Sequence, residues 1–427
     1  MRWRWSLCCA AVLMPLTNLH AEEFNFDLSS YEKKSYQLTG FFEFNLDHQV
    51  IADDSYATRL LFLNSSVPDT VTEKSAALEL TGDIKRDHWH AWATYHGETY
   101  TSELASDQNG TFYEALLAYQ PDPGVTLELG KKAIKWGKGY AWNPVGFVER
   151  PKNPDDPELA REGYVVATAD LIRSYTGDLK TLAFTPVYLP VRSSVNADYG
   201  LPDHDNVAFK VYALYKDTDF DLAYLSEGSR SHRYGFDFSK NLETNFEIHG
   251  EWAYIDALSR QLVSSTGSIS SETDAATQWL LGLRYLTQNE TTIIAEYYRN
   301  NGGYTSQELQ NFFTAVDFAT DTSNTTLLNT LATVGTKSYL VRNPGQEYLY
   351  LRLSNKEPFD WLYFTPALTL IANVQDKSYS LSPELLYTGV QNLELRFKAT
   401  LLQGAKYSEF GEKRNSQRYE LRLRYFF

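Results

Sequence analysis

The sequence predicts an all-β protein: a transmembrane antiparallel up-and-down β-barrel of about eighteen strands, with sixteen as the alternative count. Three observations lead there. The chain ends on Arg418-Tyr419-Glu420-Leu421-Arg422-Leu423-Arg424-Tyr425-Phe426-Phe427, in which aromatic or aliphatic side chains alternate with three arginines and a glutamate. A strand with one oily and one charged face suits a wall between lipid and an aqueous lumen. The same period of two recurs along the whole chain, and the connections between the alternating segments switch between short and long. Aromatic residues make up 15% of the chain, with 30 tyrosines, which suits rings placed at a membrane–water interface.

The N-terminus adds an export signal. Arg2 and Arg4 precede the apolar stretch Trp5 to Leu16, broken by Ser6 and Pro15, and Leu19-His20-Ala21 stands ahead of Glu22 and Glu23. This reads as a secretory signal peptide over residues 1–21, leaving residues 22–427 as a single barrel domain. A lipoprotein signal would need small residues before its cysteine, and Cys8 follows Trp5-Ser6-Leu7. Both cysteines and both methionines fall inside this segment, so the mature chain carries no sulfur. Disulfides and thiolate metal sites are thereby excluded, and no metal or cofactor is expected. The net charge of −15 argues against a nucleic-acid partner.

The first strand is expected near Tyr36 to Asp47, with Tyr36, Leu38, Phe42, Phe44 and Leu46 on one face and Gln37, Thr39, Glu43, Asn45 and Asp47 on the other. Alternation then recurs near Ala76 to Ile84, Trp89 to Thr99, Tyr113 to Tyr119, Val125 to Leu129, Val165 to Leu171 and Lys180 to Tyr188. It continues near Val207 to Tyr215, Phe220 to Tyr224, His232 to Phe238, Phe246 to Tyr254, Thr277 to Tyr285 and Ile293 to Tyr297. The last segments lie near Glu347 to Leu353, Leu362 to Ala372, Tyr379 to Tyr387, Leu393 to Leu401 and Tyr419 to Phe427. Short connections such as Arg86-Asp87, Pro121 to Gly124 and Lys216 to Thr218 alternate with long ones at Gln49 to Lys74, Ala133 to Gly163, Pro190 to Asn206, Asp256 to Ala275 and Asn300 to Gln346. Within the last of these, Gln307 to Phe318 and Thr325 to Val334 carry helical spacing and are expected to cap the mouth.

Taking the polar face as inward, the last two strands give a basic stripe of Arg396, Lys398, Arg418, Arg422 and Arg424. Earlier strands turn Glu43, Asp47, Glu79, Asp83, Glu98, Glu114, Glu128 and Asp170 inward, which reads as an opposing acidic wall and a transverse field across a pore. The alternative is that these charges pair and stiffen the barrel. The third outer connection, Ala133 to Gly163, concentrates constraint: Trp136-Gly137-Lys138-Gly139-Tyr140-Ala141-Trp142-Asn143-Pro144 leads into a proline-rich stretch that ends at Arg161-Glu162-Gly163. Prolines fix the backbone and glycines allow sharp turns, so this loop is expected to fold inward and narrow the lumen. It would present Lys132, Lys135, Lys138, Arg150, Lys152 and Arg161 as cations and Trp136, Tyr140 and Trp142 as stacking surfaces. The alternative is a rigid surface lid whose tryptophans anchor at the lipid interface.

The export signal, alternating strands, long third loop and terminal phenylalanine resemble the outer-membrane porins and substrate-specific channels of Gram-negative bacteria. The string from Trp136 to Pro144 is also similar to a motif of porin-like barrel proteins. The resemblance implies location in the outer membrane, contact with its lipid and lipopolysaccharide, and an insertion signal at Tyr419, Tyr425 and Phe427 read by the barrel-insertion machinery. Trimers are common among porins; here a homo-oligomer and a monomer fit equally.

Catalysis is not expected. His88, His90, His96 and Glu98 share one strand face and Glu247, His249 and Glu251 another, but no serine sits in a nucleophile-elbow turn. The expected function is passive diffusion of small hydrophilic, anionic solutes. The alternatives are a structural or adhesion barrel with a plugged lumen, and an exporter of an acidic polysaccharide or lipid-like compound.

Overall fold

The computed structural model describes residues 35–63 and 65–427. The expected signal peptide at residues 1–21 lies outside the described residues. Eighteen antiparallel strands follow one another: β1 (Tyr36–Ile51), β2 (Thr70–Arg86), β3 (Trp89–Thr101), β4 (Ser106–Asp122), β5 (Val125–Lys132), β6 (Tyr164–Ser174), β7 (Leu179–Leu189), β8 (Asn206–Tyr215) and β9 (Thr218–Leu225). The second half comprises β10 (Arg233–Glu243), β11 (Phe246–Val263), β12 (Ile269–Leu286), β13 (Thr291–Asn300), β14 (Glu347–Asn355), β15 (Phe364–Asn373), β16 (Ser378–Val390), β17 (Leu393–Gln403) and β18 (Asn415–Phe426). Each pairs with its sequence neighbours, and β1 pairs with both β2 and β18, so the sheet closes on itself and has no free edge.

Phe427 completes the seam. It donates its amide to the Gly40 carbonyl at 3.0 Å and accepts from the Gly40 amide at 3.1 Å. Its ring sits 5.4 Å from that of Phe42. Tyr425 and Phe427 are exposed on the exterior and Tyr419 is half-buried there. On β17, Leu395 and Phe397 also face out while Glu394, Arg396 and Lys398 face in. An exterior so rich in leucine and aromatic rings is stable only against lipid.

All eighteen expected segments become strands, but several boundaries move. The connection expected over Asp256 to Ala275 shrinks to residues 264–268, because β11 and β12 continue as a tall hairpin past a register shift between Ile255 and Leu258. Its alternation is masked in sequence by polar residues on both faces, as suits a hairpin standing clear of lipid. Numbering the long-loop-end connections in order, L1 spans residues 52–69, L3 133–163, L4 190–205, L7 301–346 and L9 404–414. The opposite, turn end carries mostly tight connections.

L1 forms the short helix α1 (Tyr56–Leu61), and L7 forms helices α2 (Ser306–Asp321) and α3 (Thr325–Val334). Thr305 and Glu308 cap the start of α2 reciprocally. Phe312, Phe313, Val316 and Tyr339 of L7 pack with Tyr56 and Leu60 of L1. Asp317 of α2 accepts from Tyr56 Oη at 2.5 Å and Tyr407 Oη at 2.8 Å, joining L1, L7 and L9 at the loop end.

Candidate functional site

L3 runs inside the barrel. Its first limb lies on a largely apolar part of the inner wall: Val166 of β6, Ala208 of β8, Ala223 and Leu225 of β9 and Ala253 of β11 are buried beneath Ile134, Trp136, Val145, Phe147 and Val148. The expectation that every inward face meets water fails here. Small and apolar inward residues leave room for a second layer of chain, and burying that layer stabilises it by about 1.5–3 kcal/mol per large side chain. Gly235 of β10 belongs to the same arrangement, since a Cβ there would meet Val145 and Phe147 at 2.9 and 3.0 Å.

Two wall carboxylates hold the glycine-tryptophan segment by its backbone. Glu251 of β11 accepts from the amides of Lys138 at 2.7 Å, Gly139 at 2.5 Å and Val145 at 3.1 Å. Glu296 of β13 accepts from the amides of Tyr140 and, at 2.8 Å, Ala141, and its Oε1 lies 2.9 Å from His249 Nε2. Gly137 has φ +90°, and a Cβ on it would lie 2.6 Å from the Glu251 carboxylate. Gly137 is therefore required by the close approach of this carboxylate to the backbone, whereas a Cβ at Gly139 would first meet the Trp142 carbonyl. Glu251 and His249, candidates for acid–base chemistry by sequence, are here engaged with the loop and with Glu296.

The L3 cations do not line the opening. Lys138 reaches Asp221 of β9 at 2.8 Å and Asp237 of β10 at 3.8 Å. Lys132 pairs with Glu128 and Lys152 donates to the Gly139 carbonyl. Arg150 pairs with Asp198 of L4 and with Glu162, and Arg161 lies 3.4 Å from Glu149. Lys135 is exposed beside a smaller cleft. The tryptophans are not free surfaces either: Trp136 is buried in the wall cluster, and Trp142 stacks on Tyr298 with centroids 5.0 Å apart and packs near Tyr348 and Tyr350. Buried indoles beside wall tyrosines hold the loop, which corrects both the solute-stacking and the lipid-anchor expectations. Tyr140 alone of the three aromatics lines the main cavity, its hydroxyl 3.0 Å from Glu158.

The second limb of L3 carries the acidic run Asp155-Asp156-Pro157-Glu158 onto the arginine stripe. Asp156 Oδ2 lies 3.1 Å from Arg396 Nη1 and 3.2 Å from Arg422 Nη1, and Lys398 Nζ donates to the Asp155 carbonyl at 2.5 Å. On the wall, Arg396 is held by Glu384 at 2.5 Å, Arg418 by Asp47 at 2.6 Å, and Arg424 by Glu43 at 2.5 Å. The acidic wall therefore does not face the basic stripe. Closure sets β1 beside β18, so Glu43 and Asp47 neutralise their neighbours, and Glu79 and Glu98 follow on β2 and β3. Of the other acidic candidates, Asp83 meets His90 at 2.6 Å and Glu114 accepts from the Ala133 amide at 3.0 Å. Asp170 accepts from Thr185 Oγ1 at 2.6 Å.

Two chambers result, meeting at Asp155, which lines both. The turn-end chamber, about 500 Å³, holds eight acidic side chains against four arginines, Arg352, Arg396, Arg422 and Arg424. The loop-end chamber, about 310 Å³, holds five cations, Arg342, Lys398, Lys413, Arg414 and Arg418, against Asp155 and Glu409. Among the described residues no cluster of three or more His, Asp or Glu side chains is arranged to hold a metal ion.

Burial opposes ionisation of Asp156, but Arg396, Arg422 and Lys398 outweigh it and hold the carboxyl below the usual carboxylate range. A depressed acid keeps its contact above its ordinary pKa and loses it only as pH falls through the depressed value. The Asp156 contact is therefore expected to be intact at about pH 5, well above the ordinary Asp value. The infrared carboxylate band removed by Asp156→Asn should still be present there.

No protein-family model matches the sequence, and neither does any curated protein. Solved structures do match in fold. OccAB1 of Acinetobacter baumannii superposes with a TM-score of 0.56 at 9% identity, covering 92% of this chain and 96% of that one. OccK5 (OpdH) of Pseudomonas aeruginosa gives 0.50 at 10% identity, covering 91% and 98%. At these identities the likeness concerns the barrel architecture.

Proposed function

We propose that this chain is a porin-like channel of the Gram-negative outer membrane through which small hydrophilic, anionic solutes diffuse passively. The observation that carries the reading is the pair of charged chambers enclosed by one closed barrel and meeting at the tip of L3. A loop-end chamber with a surplus of cations raises the local concentration of anions at the mouth, and beyond it the four arginines of the turn-end chamber, set among an acidic surplus, offer charge partners without a deep trap. Delivery by a signal peptide at residues 1–21, insertion through Tyr419, Tyr425 and Phe427, and lipopolysaccharide around the barrel belong to the same proposal, as does passive transport without a catalytic group.

The test is conductance in planar bilayers. Purified protein is expected to form ion-permeable pores whose reversal potential in a salt gradient lies toward chloride, and Arg342→Gln with Arg418→Gln should move it several-fold back toward neutrality in permeability ratio. Barrels that fold and insert yet stay silent would favour a second reading, a plugged structural or adhesion barrel, which the hydrophobic packing of L1, L7 and L9 over the loop end supports.

A further inference from the structure

Arg396 and Arg422 are direct register partners across β17 and β18, and both point into the lumen. Like charges opposite one another on one sheet face repel, so this pair calls for an anion between them. The wall supplies each with a partner to one side, Glu384 for Arg396 and Glu420, at 2.9 Å, for Arg422. The two remaining Nη1 groups converge on a single oxygen of Asp156.

We infer that the fork of Arg396 and Arg422 is a binding site for carboxylate-bearing solutes, occupied in the resting barrel by Asp156, so that solute binding and opening of L3 are one exchange of carboxylates. The inference rests on the channel reading. Three features support exchange over a fixed brace. The arginines keep Glu384 and Glu420 when Asp156 leaves, so the wall does not depend on it. The tip can leave without undocking the loop, because L3 is anchored through Glu251, Glu296 and Lys138 on β9 to β13. Space is present on both sides of the tip, where the two chambers adjoin Asp155. A tethered carboxylate competes with free solute at an effective concentration in the millimolar range. Exchange therefore needs no energy input, only a comparable solute concentration.

Single-channel recording of wild type, Asp156→Asn and Asp155→Asn in potassium chloride, then with acetate as the probe, tests this. Asp156→Asn should raise chloride conductance several-fold, shift the reversal potential toward chloride, and lower the acetate concentration for half-block about tenfold. Asp155→Asn, whose side chain lies 4.0 Å from Arg342 and makes no ion pair with the fork, removes a lumenal charge and so moves the reversal potential slightly toward chloride, but it should leave the acetate concentration for half-block unchanged. Asp156→Ser repeats the measurement should asparagine disturb folding, which gel mobility of the unheated barrel reports. A conducting wild type with an identical Asp156→Asn overturns the gate and leaves the channel standing. An open Asp156→Asn with unchanged acetate block overturns the carboxylate site. Silence from all folded variants overturns the channel and the gate together.

Discussion

Glu251→Ala is expected to free L3 from the wall and open the lumen, with the largest rise in conductance of any single substitution. Three amides, those of Lys138, Gly139 and Val145, converge on this one buried carboxylate. Hydrogen bonds to a charged group contribute about 1.5–3 kcal/mol each, and leaving buried donors without an acceptor adds to the cost. A loss of about 4 kcal/mol or more in loop docking follows, even after crediting the relieved desolvation of the carboxylate. The barrel itself should persist, since its ladder of backbone bonds does not involve the loop. The readouts are single-channel conductance and trypsin cleavage at Lys135, Lys138 and Lys152, with Glu251→Gln intermediate because the amide keeps one acceptor. An unchanged tryptic pattern in Glu251→Ala would mean that the hydrophobic contacts of Trp136 and Trp142 suffice alone.

Lys138→Met is expected to cost the most stability. Asp221 and Asp237 are cross-strand partners whose side chains are 0% and 1% exposed. Lys138 reaches both, and Lys210 adds a cation 3.6 Å from Asp221 alone. Removing one partner of a buried charge cluster typically destabilises by about 3–5 kcal/mol, because the remaining charge stays desolvated and uncompensated. The temperature at which the folded barrel resists unfolding in detergent should fall clearly. Adding Asp237→Asn to Lys138→Met should recover most of the loss, because it removes the uncompensated charge from the site. Failure of that rescue would mean that the ammonium of Lys138 acts through its cation–π contact with Tyr212, 5.7 Å from the ring centroid.

Much of the barrel can be read locally. A period of two needs only neighbouring residues to be visible, which is why the segments from Tyr36 to Phe427 emerge as eighteen strands with the arginines of β18 turned inward. The hairpin of β11 and β12 escaped because polar residues occupy both its faces once it rises beyond lipid. L3 is marked by its density of Gly, Pro and Trp, and it does run inside the barrel, but most of its cations and both tryptophans are held by the protein rather than presented to solute. Lysines and tryptophans look available in a linear sequence, whereas their partners, Asp221, Asp237, Tyr298 and Tyr348, come from strands far along the chain. The acidic run Asp155-Asp156 between prolines is the sequence signal of the lumenal tip, as is the lone inward acid Glu296 on the otherwise uncharged inner face of β13.

The sequence by itself determined the strand period, the lipid-facing side, the strand count within two, and a constrained third loop, because alternation and turn chemistry are properties of adjacent residues. Only the tertiary structure decided which charges meet. Closure laid β1 against β18, turning two supposedly opposed walls into neighbours that neutralise each other. It also brought Asp156 onto Arg396 and Arg422 across 240 and 266 residues of chain. Pairing over such distances depends on how the sheet curves back on itself, and no window of sequence contains that information.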